Sequence, residues 1–166
     1  MTALLLLAAS LFTLDPTKTE ITWSLGAALH TVHGTFRLKS IAPQSGAIVI
    51  DATSGQSGNT SRDAKMHKTV LESAKYPEII FTPKRIDGPI APAGSSEIKV
   101  IGDIQIHGST HEITIPAKVE DARKFKATFT IPYVAWGMKS PSTFLLRVDD
   151  KVEITITGEA RLPNPN

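Results

Sequence analysis

Cysteine is absent from this chain of 166 residues. With it go disulfide frameworks, thiolate zinc sites, iron–sulfur clusters and cysteine nucleophiles. The absence is neutral about compartment, since a chain without thiols suits oxidising and reducing surroundings alike. A one-sided charge is also missing. The 18 Lys+Arg and 16 Asp+Glu leave a formal net charge of +2, without the basic stripe that a nucleic-acid binder shows. The apolar run Leu4-Leu5-Leu6-Leu7-Ala8-Ala9 falls far short of the ~20 residues a membrane-spanning helix needs. Motifs of nucleophilic and phosphate chemistry are lacking. Gly55-Gln56-Ser57-Gly58 does not have the G-x-S-x-G spacing, and no Gly-rich loop precedes a helix. His111-Glu112 has no second histidine four residues on. What the chain does have is the length of one domain, large enough to bury a core without staples.

The first fourteen residues carry no charged side chain. Their leucine run has the length of a secretory h-region, with small residues Ala8, Ala9 and Ser10 after it. Residues 1–14 are therefore expected to be an export signal, giving a periplasmic or secreted protein. The folded domain is expected over 15–162, with a short tail at 163–166.

From Asp15 onward the pattern has period two. Ile21, Trp23 and Leu25 alternate with polar neighbours, and so do Val32, Phe36 and Leu38. Ile48 and Ile50, then Ile79 and Phe81, follow the same parity. Longer sets are Ile98 to Ile106, Ile113 to Val119, and Phe125 to Ile131, and the last two are Phe144 to Val148 and Val152 to Ile156. Strict alternation means strands with one apolar and one wet face, and nine of them separated by turn signals imply an antiparallel all-β domain. Gly34, Gly102 and Gly158 inside strands predict bulges or bends. One segment departs from the pattern: Met66, His67, Val70, Leu71 and Ala74 fall at helical spacing. That predicts a single short helix over Ser61–Ala74, N-capped by Ser61 and stopped by Pro77. A continuous apolar face on nine twisted strands is buried either by closing into a barrel or by splitting into a sandwich, and periodicity leaves both open.

The histidines are the main chemical signal. His30, His67 and His111 fall on apolar faces, where they would either converge on a polar head group or metal at a barrel mouth or each be satisfied locally. The inward aromatics, including Trp23, Phe36, Phe81, Phe125, Phe129, Tyr133, Trp136 and Phe144, would line a tunnel or pack a core. Arg62, Asp63, Lys65, His67 and Lys68 put a polar, mostly basic cluster on the helix, suited to solvent or to an anionic head group.

Several of these segments resemble the YceI-like polyisoprenoid-binding family. They are Arg62-Asp63-Ala64 followed by Lys75-Tyr76-Pro77-Glu78-Ile79-Ile80-Phe81, the strand and turn Gly102-Asp103-Ile104-Gln105-Ile106-His107-Gly108, and the closing strand Val152-Glu153-Ile154-Thr155-Ile156. The resemblance covers about residues 15 to 160 and implies an extended, lipocalin-like antiparallel β-barrel in which a long isoprenoid chain lies, usually in exported bacterial proteins. On that implication the expected function is non-catalytic carriage or sequestration of a polyisoprenoid or isoprenoid quinone. The expected ligand contacts are Trp23, His30, Val32, Phe36, His67, Phe81, Ile104, Phe129, Tyr133, Trp136, Phe144 and Leu146. Beyond that lipid, no cofactor, catalytic residue or metal site is expected, and neither nucleic acid nor a transmembrane span; a homodimer is left open. Two alternatives stand beside this reading: an enzyme using the histidine cluster on an apolar substrate, and a filled structural barrel that binds another protein.

Overall fold

The computed structural model describes residues 13–161. The strands are β1 (Thr13–Leu14), β2 (Glu20–Gly26), β3 (Thr31–Ile41), β4 (Ile48–Gln56), β5 (Glu78–Asp87), β6 (Ser95–Ile106), β7 (Ser109–Glu120), β8 (Lys124–Ile131) and β9 (Val152–Arg161). A helix, α1 (Thr60–Lys65), lies between β4 and β5 and runs on into a π turn over Met66–Val70. Neighbours in the sheet follow chain order from β2 to β8, and β9 pairs with both β8 and β2. The result is a closed, eight-stranded antiparallel barrel, to which β1 adds beside the last residues of β9. Closure removes the sheet edges that an open array would leave unpaired.

The register explains why alternation was so regular. Across an antiparallel ladder, directly opposed residues share a face. Ile98, Ala117, Ala127, Ile156, Ile21 and Phe36 are opposed in succession from β6 round to β3 and form one inward belt. The β6–β7 hairpin turns through His107 and Gly108, both at positive φ (51° and 76°). Such a turn matches the right-handed twist of the strands.

The β3–β4 ladder is interrupted: Thr35 opposes Gln56, but Arg37 opposes Asp51. The looped-out backbone is satisfied by side chains. Asp51 Oδ1 accepts from Thr53 N (2.9 Å) and Thr53 Oγ1 (2.5 Å), and Ser54 Oγ accepts from Arg37 N at 2.7 Å. The Thr53 hydroxyl bond is the main reason the Asp51 carboxyl is held below its ordinary pKa, with a smaller contribution from the Thr53 backbone N–H.

Some expectations need correction. The strand expected at Phe144–Val148 is irregular, because Leu145 breaks the alternation and Thr143 N–H closes a tight turn onto the Leu146 carbonyl. The helix starts at Thr60, not Ser61. Asn59 is the N-cap, its side chain accepting from Arg62 N at 3.0 Å, and helical structure stops at Val70. Thr13 and Leu14, expected within the export signal, pair with Arg161 and Ala160. The rest of that expected signal and the tail at 163–166 lie outside the described residues.

Of the three strand glycines, Gly102 lies opposite a register shift between Pro83 and Arg85 of β5. All three also make room for an aromatic ring. A Cβ at Gly34 would lie 2.2 Å from the Trp23 ring, at Gly102 2.8 Å from Phe81, and at Gly158 2.8 Å from Phe125.

Candidate functional site

The barrel is filled at one end and hollow at the other. At the filled end, beside α1 and the β6–β7 turn, Ile104, Ile106, Ile131, Tyr133 and Met138 are buried together. Tyr133 Oη donates to the Asp149 carbonyl at 2.6 Å, and burial raises its pKa. The long connection from β8 to β9 crosses this end, and its Trp136 stacks flat on His111 (centroids 4.0 Å apart, planes 3° apart).

Toward the other end lies a cavity of about 440 Å³. Its walls are Leu14, Ile48, Phe81, Ile86, Ile98, Val100, Ile115, Ala117, Val119, Phe125, Ala127 and Ile156. The space has a simple origin: Ala117 and Ala127 are directly opposed on adjacent strands, where larger side chains would meet. The mouth opens along β5, where β4 has ended and the β3–β4 hairpin takes its place. Gln44, Ser45, Thr82, Lys84 and Arg85 stand there. Both cations at the mouth are paired. Lys84 Nζ sits between Asp103 (2.8 Å) and Glu112 (2.9 Å), whose hydrogen bonds, Asp103's the larger, raise its pKa, and Arg85 Nε meets Asp87 at 3.2 Å. The mouth therefore offers an interior ligand uncharged hydrogen-bonding groups rather than a free positive charge.

Of the expected contacts, only Phe81 lines this cavity. Ile104 and Tyr133 are buried in the filled end, and Val32 is buried in β3. Phe36, Phe129 and Trp136 pack partly buried against the core. Trp23 is buried over Gly34, and its Nε1 has no hydrogen-bond partner among the described residues. Three placements correct the parity reading. His30 is exposed because it belongs to the β2–β3 turn, while Phe144 and Leu146 are exposed because their segment is a turn and not a strand.

The three histidines do not converge on a metal-binding cluster; among the described residues no group of His, Cys, Asp and Glu could hold one. His67 is occupied locally, with Nε2 2.7 Å from the Gly55 carbonyl and Nδ1 2.9 Å from Ser73 Oγ. A carbonyl only accepts, so Nε2 carries the hydrogen. The Arg62-Asp63 pair is likewise structural. Asp63 Oδ1 accepts from Ser57 N and Oγ, and Arg62 Nε donates to Ser57 Oγ at 2.8 Å, tying α1 to the end of β4.

Most of the other wall residues lie on the inward parity, but Leu14 falls within the expected export signal, and Ile86 faces inward only because of the register shift between Pro83 and Arg85. The available signal was the two small members, Ala117 and Ala127, among larger aliphatics.

A profile of the YceI-like domain matches residues 12–160. The chain belongs to the YceI-like family. BcnA of Burkholderia cenocepacia is similar in fold, with a TM-score of 0.67 at 19% identity, covering 90% of this chain and 100% of that one. A polyisoprenoid binding domain from Saccharophagus degradans, implicated in plant cell wall breakdown, reaches 0.69 at 16% identity, covering 92% and 98%. These likenesses establish the shared YceI-like barrel. UPF0312 proteins of Vibrio campbellii and Vibrio parahaemolyticus are each 31% identical over 84 residues, which is 50% of this chain and 42% of theirs. The YceI-like barrel described here thus matches less than half the length of those relatives.

Proposed function

We propose that the barrel binds, without transforming it, an apolar chain of the isoprenoid class in the cavity walled by Ala117, Ala127 and their neighbours. The observation that carries the reading is the cavity itself: about 440 Å³ inside a closed wall lined almost wholly by aliphatic and aromatic side chains. That volume lies within the ~300–1,000 Å³ range of sites for small ligands. A hydrocarbon chain needs dryness and length more than directed contacts. At ~0.8 kcal/mol per buried CH₂, each five-carbon unit gains roughly 4 kcal/mol before the costs of association. The polyisoprenoid binding domain of S. degradans, sharing this fold, supports the isoprenoid class.

In this reading the chain of the ligand enters past β5, and an uncharged head group stays at Gln44, Ser45 and Thr82. The role is carriage or sequestration. The same proposal puts the protein in an exported compartment, on the strength of the uncharged, leucine-rich first fourteen residues. Cleavage after Ala8, Ala9 or Ser10 would leave Thr13 and Leu14 in place on β9.

The test is organic extraction of the purified protein followed by mass analysis. A stoichiometric lipid with masses stepping by isoprene units is expected. A protein that carries no apolar molecule and takes up none from an added isoprenoid quinone would overturn the reading.

A further inference from the structure

The large apolar side chains that stand exposed among the described residues are Leu29 (91%), Phe144 (102%), Leu145 (90%) and Leu146 (38%). Single exposed apolar residues scattered over a surface are ordinary; a cluster of them is not. These four come from segments more than a hundred positions apart, yet they sit side by side. Ala27 bridges to Val148, Ala28 N donates to the Arg147 carbonyl at 2.9 Å, and Asp149 N donates to the Gly26 carbonyl at 2.9 Å.

Each segment ends in a two-residue tip held by its own hydrogen bonds. Ala27 and His30 exchange backbone bonds (2.8 and 3.3 Å) around Ala28 and Leu29. Thr143 N donates to the Leu146 carbonyl (2.8 Å) and Leu146 N to Thr143 Oγ1 (3.1 Å) around Phe144 and Leu145. Turn tips ordinarily take Gly, Asn, Asp or Ser. Here they carry leucine and phenylalanine, fixed outward by a rigid frame.

We propose that these paired tips are a docking surface for a lipid bilayer. Two features favour a bilayer over a protein groove. The surface joins an aromatic to aliphatic side chains, the combination that settles at the boundary between head groups and acyl chains. Cations also outnumber anions in the stretch of chain that carries the Phe144 tip: between 139 and 151, Lys139, Arg147 and Lys151 stand against Asp149 and Asp150. Lys65 adds to them, its Nζ donating to the Pro141 carbonyl at 3.0 Å. That balance suits anionic lipid. The tips stand at the end of the barrel opposite the cavity mouth, so a docked molecule keeps its mouth on the aqueous side. The proposal rests on the tips alone and stands whether or not the cavity holds an isoprenoid.

The experiment is flotation of the full chain with vesicles of phosphatidylcholine, with and without phosphatidylglycerol. It compares the wild type with Phe144→Ser/Leu145→Ser and with Leu29→Ser, and circular dichroism checks each fold. The wild type is expected to float, more so with phosphatidylglycerol. The double variant, with an unchanged melting curve, is expected to lose about tenfold or more in partitioning. A wild type that stays below both vesicle types, or variants that float equally well, would overturn the proposal. So would a wild-type dimer in sedimentation that the double variant dissolves, because the tips would then be holding a second copy.

Discussion

Ala117 and Ala127 face each other across the β7–β8 ladder, and their short side chains both line the barrel's interior cavity. Trp23 and Gly34 make the opposite arrangement across β2 and β3, where a large ring fills the space over a residue with no side chain. Between them these two pairs show how one inward parity yields both a packed region and a hollow one.

The Trp23–Gly34 pair leads to a stability prediction. A methyl at Gly34 would sit 2.2 Å from the indole and 2.3 Å from the Gln56 carbonyl, and neither backbone nor ring can step aside cheaply. Gly34→Ala should therefore cost about 1–3 kcal/mol in urea unfolding, the usual range for overpacking. An unchanged midpoint would show that the ring is free to move.

His67 should matter to the fold and not to the ligand. Its ring bridges the Gly55 carbonyl and Ser73 Oγ, far from the cavity walls. His67→Ala leaves the buried Ser73 hydroxyl and the Gly55 carbonyl without that partner, at a cost of about 1–3 kcal/mol. Lipid extracted per mole of folded protein should equal that of the wild type. Loss of lipid with stability intact would instead make His67 a ligand contact.

Acid should weaken the fold through Asp51 and Glu159. Asp51 is held below its ordinary range chiefly by the Thr53 hydroxyl, and Glu159 by hydrogen bonds from Lys18 and then Arg123. A carboxyl with a lowered folded pKa stabilises above its unfolded pKa, and that contribution disappears as pH falls through the folded value. With ordinary values of 3.8 and 4.5, the loss begins near pH 4.5 and continues below 3.8. Melting temperatures taken across this range should fall less steeply for Asp51→Asn/Glu159→Gln than for the wild type.

The strands were legible because each is half-buried, so period two reports directly on the register of the closed barrel. Three features were not legible, each for a physical reason. Phe144 and Leu146 read as inward strand residues because alternate apolar positions point to a core, whereas the chain presents both to the outside. The expected helix runs past Val70 to Ala74 because apolar spacing does not show that the backbone turns left-handed at Glu72 (φ 47°). The resemblance implies an occupied interior, but the place of the cavity is not legible, because parity tells which face a residue occupies and not how the side chains at one height of the barrel add up. Ala117 and Ala127 were recognised as inward-facing, but only the register shows that they are opposed. The expected contacts drew instead on the bulkiest inward residues, and bulky residues are the ones that close an interior.

The most direct test of the account is native mass spectrometry of the wild type beside Ala127→Phe, with the milder Ala117→Leu as a second variant in case the larger ring prevents folding. The account predicts a wild type carrying one apolar ligand and folded variants at the bare protein mass, since the added side chains take the ligand's place. Variants that keep the ligand at wild-type stoichiometry, while Phe129→Ala in the packed half loses it, would contradict it.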